Sequence, residues 1–109
     1  MTETEILRAN IAQHGTDEEL TVAAEECAEL IHVISKIKRY GLREHVNHLN
    51  HLAEEIADVE IMIAQIKMIY NCTRLVDIWK EIKLERIEKQ LPNQQVNFDF
   101  TDGVYDLSE

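Results

Sequence analysis

The chain has 109 residues, 21 of them acidic and 11 basic, so its formal net charge is −10. This length predicts one domain with one core, and the charge argues against a nucleic-acid partner because no basic surface exists to neutralise a phosphate backbone. The N-terminus lacks the basic and apolar regions of a signal peptide, and no apolar run reaches the roughly 18 residues of a membrane span, so we expect a cytoplasmic protein that does not enter a membrane.

Helix signals begin at the N-terminus. The segment TETE at positions 2–5 predicts a capping box, and the helix that it opens should end near His14, before a glycine. The segment TDEE then repeats the pattern, with Thr16 as the cap and Glu19 reaching back to it. The second helix should end at Tyr40, since another glycine follows.

Two further helices follow in the second half of the chain. The third should run from about Arg43 to Tyr70, and Thr73 should cap a fourth that ends after Leu91, where a proline follows. The last residues have no helical period and predict an extended tail. The predicted organisation is therefore a helical domain, residues 1–91, and a C-terminal tail, residues 92–109.

Four helices with short connections predict an all-α fold, an antiparallel four-helix bundle. Apolar residues at alternating spacings of four and three indicate the face of each central helix that should pack in the core. We call these faces the predicted core stripes. They comprise Leu20, Ala24, Cys27, Ile31 and Ile34 in the second helix and Leu52, Ile56, Val59, Ile63, Ile66 and Tyr70 in the third.

A second stripe on each central helix carries two acidic residues with apolar neighbours. It lies about 100° around the helix from the predicted core stripe. Glu25, beside this stripe in the second helix, should face solvent or the edge of the acidic face. The second stripes comprise Val22, Glu26, Glu29 and Val33 in the second helix and Glu55, Asp58, Met62 and Ile69 in the third.

The two acidic pairs lie at equal distances from the predicted turn at Gly41, about 20 Å each at 1.5 Å per residue. In an antiparallel hairpin the carboxylates of Glu26, Glu29, Glu55 and Asp58 should therefore face one another. They would repel one another or take up protons unless a divalent cation lay between them, and all-oxygen ligands suit Mg²⁺ or Mn²⁺. The alternative is that these residues are solvated glutamates on an acidic protein.

The acidic residues also form a recognisable signature. Glu25-Glu26-x-x-Glu29, followed after 25 residues by Glu55-x-x-Asp58, resembles the EExxE…ExxD signature of the all-α nucleoside triphosphate pyrophosphohydrolases. The flanking segments EECAELIHVISK and HLAEEIADVEIMI resemble small stand-alone members of the MazG-like branch, which occur in phages and bacteria. The resemblance covers most of the chain.

The resemblance implies a helical bundle that assembles as a homodimer or homotetramer. It implies hydrolysis of a nucleoside triphosphate between its α- and β-phosphates, giving a monophosphate and pyrophosphate, in control of the nucleotide pool. It also implies Mg²⁺ ligands at Glu26, Glu29, Glu55 and Asp58. Glu25 would be an accessory acid that binds a further Mg²⁺ or orients the attacking water.

Positive side chains should hold the departing pyrophosphate. The candidates are Lys36, on the helix of the first motif, and Lys83 with Arg86 on the fourth helix; the alternative is that they are solvated and pair with nearby glutamates. In relatives of this kind the base is held by the first helix and the bundle interior, so the candidate base contacts are Asn10, Gln13 and His14.

Three histidines, His45, His48 and His51, occur at spacings of three in the third helix. Successive spacings of three drift around a helix, so we do not expect all three to share one metal ion. Two other functions are consistent with the same residues. One is the phosphoribosyl-ATP pyrophosphohydrolase of histidine synthesis, which has the same fold, and the other is a non-catalytic helical interaction protein whose acids bind a structural ion.

Overall fold

The computed structural model describes residues 1–41 and 46–92, and of residues 46 and 47 the backbone only. Within these ranges the chain forms four α-helices and no strand, which confirms the predicted all-α class. The predicted beginning of the third helix at Arg43 and the tail beyond residue 92 lie outside the described residues. The helices are α1 (Glu3–His14), α2 (Thr16–Tyr40), α3 (Val46–Tyr70) and α4 (Thr73–Gln90).

The capping box that opens α1 is confirmed. The backbone N–H of Glu5 donates to Thr2 Oγ1 over 3.1 Å, and the backbone N–H of Thr2 donates to Glu5 Oε1 over 2.8 Å. The backbone and side-chain hydrogen bonds from Thr2 hold the pKa of Glu5 below its ordinary value. The helix ends before Gly15, whose φ of +93° lies in a region that L side chains rarely adopt.

The two other predicted caps are wrong. Gly15 is the N-cap of α2, so Thr16 is already its first helical residue, and no side chain caps this end. Glu19 does not reach back to the helix end because its side chain is buried and accepts hydrogen bonds from other helices. In the same way Cys72, and not Thr73, is the N-cap of α4, again without a side-chain hydrogen bond.

The described residues divide into two compact units. The first, Met1–Asn71, contains α1, α2 and α3; α2 packs along α3, and α1 contacts both. The second unit begins at Cys72 and contains α4, none of whose residues is buried. The core of the first unit therefore lies where its three helices meet.

The predicted core stripes are largely not the faces that pack. Ile31 of α2 is 65% exposed, and Ile34, Ile56, Ile63 and Tyr70 are also exposed; we call these five residues the exposed apolar stripe. Most of the buried residues instead lie on or beside the second, acid-bearing stripes. They are Glu19, Ala23 and Val33 in α2, and Glu55, Val59, Met62 and Gln65 in α3.

The reason for this error is that each central helix carries apolar residues on two neighbouring stripes. Hydrophobic periodicity detects both and cannot rank them. Val59, for example, belongs to a predicted core stripe and is buried, but it lies at the boundary between the two stripes. The result is that three carboxylates of the second stripes, those of Glu26, Glu55 and Asp58, lie between the packed helices, whereas Glu29 is exposed.

Candidate metal site

Two polar clusters lie between α2 and α3. In the first, Glu19 of α2 accepts a hydrogen bond from Gln65 of α3. In the second, Glu26 lies beside Glu55 and Asp58. Glu26 is seven residues beyond Glu19, and Asp58 is seven residues before Gln65. The two clusters are therefore separated by about two helical turns, roughly 10 Å, along the same packed surface.

The second cluster, which we call the acid cluster, consists of Glu26, Glu55 and Asp58. Each contributes a carboxylate oxygen, and the three oxygens lie within 4.8 Å of one another. Glu55 is only 7% exposed, whereas Glu26 and Asp58 are half-buried. The structure thus brings together three of the four acidic residues that the sequence placed face to face.

The electrostatics of the acid cluster are unfavourable without a cation. Burial raises the pKa of Glu26, and the negative charges of Asp58 and Glu55 raise it further, since each disfavours another charge nearby. No Lys or Arg of the described residues forms an ion pair with these three carboxylates. The ring of His51 pairs with one of them, since its Nε2 lies 3.4 Å from Glu55 Oε1.

The second carboxylate oxygen of Glu55 is in an unfavourable environment. Glu55 Oε2 is buried and has no hydrogen-bond donor within the described part of the chain. A buried carboxylate oxygen without a donor costs roughly 1–3 kcal/mol or more, so such groups are rare in folded proteins. A hard divalent cation would satisfy this oxygen, and three oxygen ligands would leave coordination positions for water or phosphate oxygens.

The polar cluster around Glu19 has the opposite character. Glu19 Oε1 accepts hydrogen bonds from Asn10 Nδ2 and Gln65 Nε2, each with a donor–acceptor distance of 2.7 Å. Asn10 Nδ2 also donates to Gln65 Oε1 over 2.8 Å, and His14 Nδ1 lies 3.5 Å from Glu19 Oε2. We call Asn10, Glu19 and Gln65 the amide cluster. Its carboxylate is satisfied by neutral amide donors from α1 and α3.

Sequence reasoning missed the amide cluster. It assigned Asn10 and His14 to base recognition and Glu19 to a helix cap, and it did not consider Gln65. The available signal was a glutamine at a packed position of α3, surrounded by apolar residues. A single polar residue of this kind has to find partners on another helix.

Several predicted site residues lie outside the acid cluster. Glu25, Glu29 and Lys36 are exposed on α2, and no carboxylate of Glu25 or Glu29 belongs to the three-oxygen group. Lys83 and Arg86 are exposed on α4, in the second unit, where Lys83 Nζ lies 6.0 Å from the centre of the Trp79 ring. Their predicted roles remain predictions.

The described residues also contain a surface cleft of about 360 Å³ between α1 and α3. None of the acid-cluster residues lines this cleft, although Ala57 is a chain neighbour of Asp58. The cleft therefore does not define the candidate metal site, which rests on side-chain chemistry between α2 and α3. The lining residues are Glu3, Leu7, Ala57, Glu60, Ile61 and Ala64.

The fold and the acid cluster together define a class: an all-α chain with three carboxylates gathered between two packed helices. Comparisons with protein-family models, curated proteins and solved structures find no match for this chain. Among the described helices, none has the length and apolarity needed to cross a membrane.

Proposed function

We propose that the acid cluster binds Mg²⁺, with Mn²⁺ as a substitute, and that the chain is a magnesium-dependent nucleoside triphosphate pyrophosphohydrolase. The observation that carries the proposal is the buried carboxylate of Glu55, whose Oε2 has no donor among the described residues and which groups with Glu26 and Asp58. Three hard oxygen donors form a ligand set suited to Mg²⁺, and no Lys or Arg of the described residues pairs with them.

Glu29 is the proposed fourth ligand. It follows Glu26 by three residues, so the two side chains project from neighbouring positions of α2. Glu29 is exposed, which suits a ligand at the rim of the site that closes on the cation when the cation binds. Glu25 is exposed beside it and is the proposed accessory acid, positioned to accept a hydrogen bond from the attacking water.

The arrangement of acidic motifs supports a nucleotide as the substrate. The sequence Glu25-Glu26-x-x-Glu29…Glu55-x-x-Asp58 resembles the signature of the all-α pyrophosphohydrolases, and the structure brings three of these carboxylates to one place. An acidic site repels a free triphosphate, so the substrate should enter as a magnesium complex. When bound, Mg²⁺ would neutralise phosphate oxygens and lower the pKa of a coordinated water.

The proposed reaction is hydrolysis between the α- and β-phosphates, which gives a nucleoside monophosphate and pyrophosphate and serves control of the nucleotide pool. Lys36, Lys83 and Arg86 are the proposed cations that hold the pyrophosphate. Lys36 is exposed on the same helix as Glu26 and Glu29. A free nucleotide as substrate places the activity in the cytoplasm.

The exposed apolar stripe supports self-association as part of the same proposal. Ile31, Ile34, Ile56, Ile63 and Tyr70 are large apolar or aromatic side chains that one copy leaves open to water on α2 and α3. Extended apolar surface of this kind favours an interface. We therefore propose a homodimer or homotetramer, in which the antiparallel pairing of α2 and α3 that the two clusters support forms part of a helical bundle.

The test is a hydrolysis assay with Mg²⁺ and a panel of NTPs, dNTPs, guanosine tetraphosphate and phosphoribosyl-ATP. Reaction in ¹⁸O-labelled water, followed by mass spectrometry of both products, shows which phosphorus is attacked. We expect monophosphate and pyrophosphate from at least one substrate, and loss of turnover by more than about 100-fold in Glu26→Gln and Asp58→Asn. The matched control is Glu18→Gln, which neutralises an exposed glutamate of α2 outside the acid cluster.

Two outcomes contradict the proposal. One is no turnover of any substrate by a folded chain that binds Mg²⁺, which would make the acid cluster a structural ion site in a non-catalytic protein. The other is equal turnover by the wild type, Asp58→Asn and Glu18→Gln. Turnover of phosphoribosyl-ATP alone would retain the chemistry and assign the chain to histidine synthesis.

A further inference from the structure

A second group of metal-ligating side chains lies on α3. His51, Glu54 and Glu55 each contribute one ligand atom, and the three atoms lie within 4.8 Å of one another. Their spacing, i, i+3 and i+4, places them on one face of the helix. His51 and Glu54 are exposed, whereas Glu55 is buried. The group therefore extends from the buried acid cluster towards solvent.

Glu55 belongs to both groups, and its side chain is the second observation that points to a ligand. It is more than nine-tenths buried, yet its Oε2 has no donor in the described part of the chain. Its Oε1 lies 3.4 Å from His51 Nε2, longer than the roughly 2.7–3.2 Å of a good N–H···O hydrogen bond. Within the described part of the chain, neither oxygen of this buried carboxylate therefore accepts a good hydrogen bond.

We propose that His51, Glu54 and Glu55 form a second divalent-cation site next to the acid cluster, with Glu55 shared between the two cations. The inference rests on the proposed function only in that Glu55 serves both sites; it does not depend on hydrolysis. A ligand set of one imidazole nitrogen and two carboxylate oxygens suits Mn²⁺ and later divalent transition metals such as Zn²⁺ better than Mg²⁺.

A second cation on the shared carboxylate would add positive charge next to the first cation. Two cations on one carboxylate neutralise more negative charge than one, both on the protein and on a phosphate ligand. His51 and Glu54 are exposed, so the second cation would face solvent and remain accessible to phosphate oxygens. The alternative is that His51 is simply an ion-pair partner of Glu55 at i, i+4 spacing, a contact that contributes little on a helix surface.

Mn²⁺ is the probe that separates these two readings. Untagged, metal-free full-length chain is titrated with Mn²⁺, bound ions are counted by electron paramagnetic resonance, and imidazole coordination is detected as ¹⁴N coupling in pulsed spectra. We expect two Mn²⁺ per wild-type chain with ¹⁴N coupling present. His51→Ala should bind one Mn²⁺ without ¹⁴N coupling, and His32→Ala, which removes an exposed histidine of α2, should match the wild type.

Two further measurements assign each ion to its site. Asp58→Asn should weaken Mn²⁺ binding at the acid cluster by at least about tenfold and retain the ¹⁴N-coupled Mn²⁺. In the wild type, Zn²⁺ should displace the ¹⁴N-coupled ion first, because imidazole sites prefer Zn²⁺ to Mn²⁺. Excess Mg²⁺ should displace the uncoupled ion first.

One Mn²⁺ per wild-type chain, or ¹⁴N coupling that persists in His51→Ala, would overturn the proposal and leave His51 as an ion-pair partner. Failure of the proposed function has a different signature. If no nucleotide is hydrolysed while ¹⁴N-coupled Mn²⁺ is present, the second site stands and the enzymatic proposal fails.

Discussion

The acid cluster and the amide cluster lie about two turns apart between the same two helices, yet their carboxylates have opposite surroundings. Glu19 Oε1 accepts two hydrogen bonds of 2.7 Å from the amides of Asn10 and Gln65. Glu55 Oε2 accepts none from the described residues. A buried carboxylate with neutral donors holds helices together, whereas one surrounded by other carboxylates needs a cation.

The difference originates in α1. This helix contributes Asn10 to the amide cluster, and the Asn10 side chain donates a hydrogen bond to Glu19 in addition to the one from Gln65 of α3. The acid cluster contains residues of α2 and α3 alone, and its side chains are all acceptors when ionised. Stability and cation binding should therefore depend on different clusters.

The largest expected effect is loss of cation binding in Glu55→Gln. The amide has nearly the shape of the carboxylate but lacks the charge, so we expect affinity for Mg²⁺ and Mn²⁺ to fall by more than about 100-fold while the fold persists. Isothermal titration calorimetry measures the affinity, and circular dichroism measures the helix content. The paired variant is Glu19→Gln in the amide cluster.

Glu19→Gln should bind cations as the wild type does and should unfold more easily, because a charged acceptor of two hydrogen bonds is replaced by a neutral one. If Glu19→Gln lost cation binding as severely as Glu55→Gln, the two clusters would not be functionally distinct. Retention of wild-type affinity by Glu55→Gln would also contradict the separation.

The next largest effect is on stability, in Gln65→Leu. Gln65 is 1% exposed and both donates to Glu19 and accepts from Asn10, so leucine leaves a half-buried donor and a buried acceptor short of partners. We expect a loss of about 2 kcal/mol in the free energy of unfolding, or roughly 10 °C in Tm. Chemical denaturation of the metal-free chain measures it.

The control for this substitution is Gln13→Leu, which removes an exposed glutamine of α1 and should change stability little. Gln65→Leu should leave the Mn²⁺ affinity of its folded fraction within about twofold of the wild type, since Gln65 lies about two helical turns from Asp58. Equal stability of the two leucine variants would remove the structural role of the amide cluster.

The contrast between the clusters also explains what the sequence predicted well. The capping box of Thr2 and Glu5 was correct because every group in it lies within four residues. The cap at Thr16 was wrong because Glu19 finds a partner in Gln65, 46 residues away. Sequence pattern carries local chemistry, and it does not show which distant donor will compete for the same side chain.

The same limit explains why the buried faces of α2 and α3 were predicted wrongly. Matched distances from the predicted turn indicated that four carboxylates would meet, and the structure brings all of them together except that of Glu29. Periodicity nevertheless placed Ile31 and Ile56 in the core, where the structure leaves them exposed. Geometry along a helix follows from 1.5 Å per residue, but the choice between two apolar stripes depends on the packing of all helices.

A smaller effect is expected from Glu26→Gln, and its sign differs between metal-free and metal-loaded protein. Burial and the nearby acids raise the pKa of Glu26, so its ionised form is disfavoured in the fold. Its favourable contribution is complete below the ordinary pKa of glutamate and is lost as pH rises through the raised pKa. At neutral pH without metal, Glu26→Gln should therefore raise Tm by a few degrees.

Two conditions test the cause of that gain. It should vanish in acid, where Glu26 is protonated, and it should reverse in saturating Mg²⁺, which stabilises only the chain that binds it. Glu60→Gln, an exposed glutamate in the interior of α3, should show neither response. A gain in Tm that is the same at every pH would show that repulsion within the acid cluster is not its origin.

The smallest expected effect is that of Thr2→Ala at the beginning of α1. It removes the hydroxyl that accepts from the N–H of Glu5 and should cost about 1 kcal/mol or less, whereas Thr4→Ala in the first turn should cost nothing. Because hydrogen bonds from Thr2 lower the pKa of Glu5, their contribution is present above the ordinary glutamate pKa and lost as pH falls through the lowered one. The difference between the two variants in Tm should therefore shrink in acid.

Since α1 supplies Asn10 to the amide cluster and nothing to the acid cluster, Mn²⁺ affinity should be unchanged in both variants. A change in Thr2→Ala alone would show that α1 also supports the cation site.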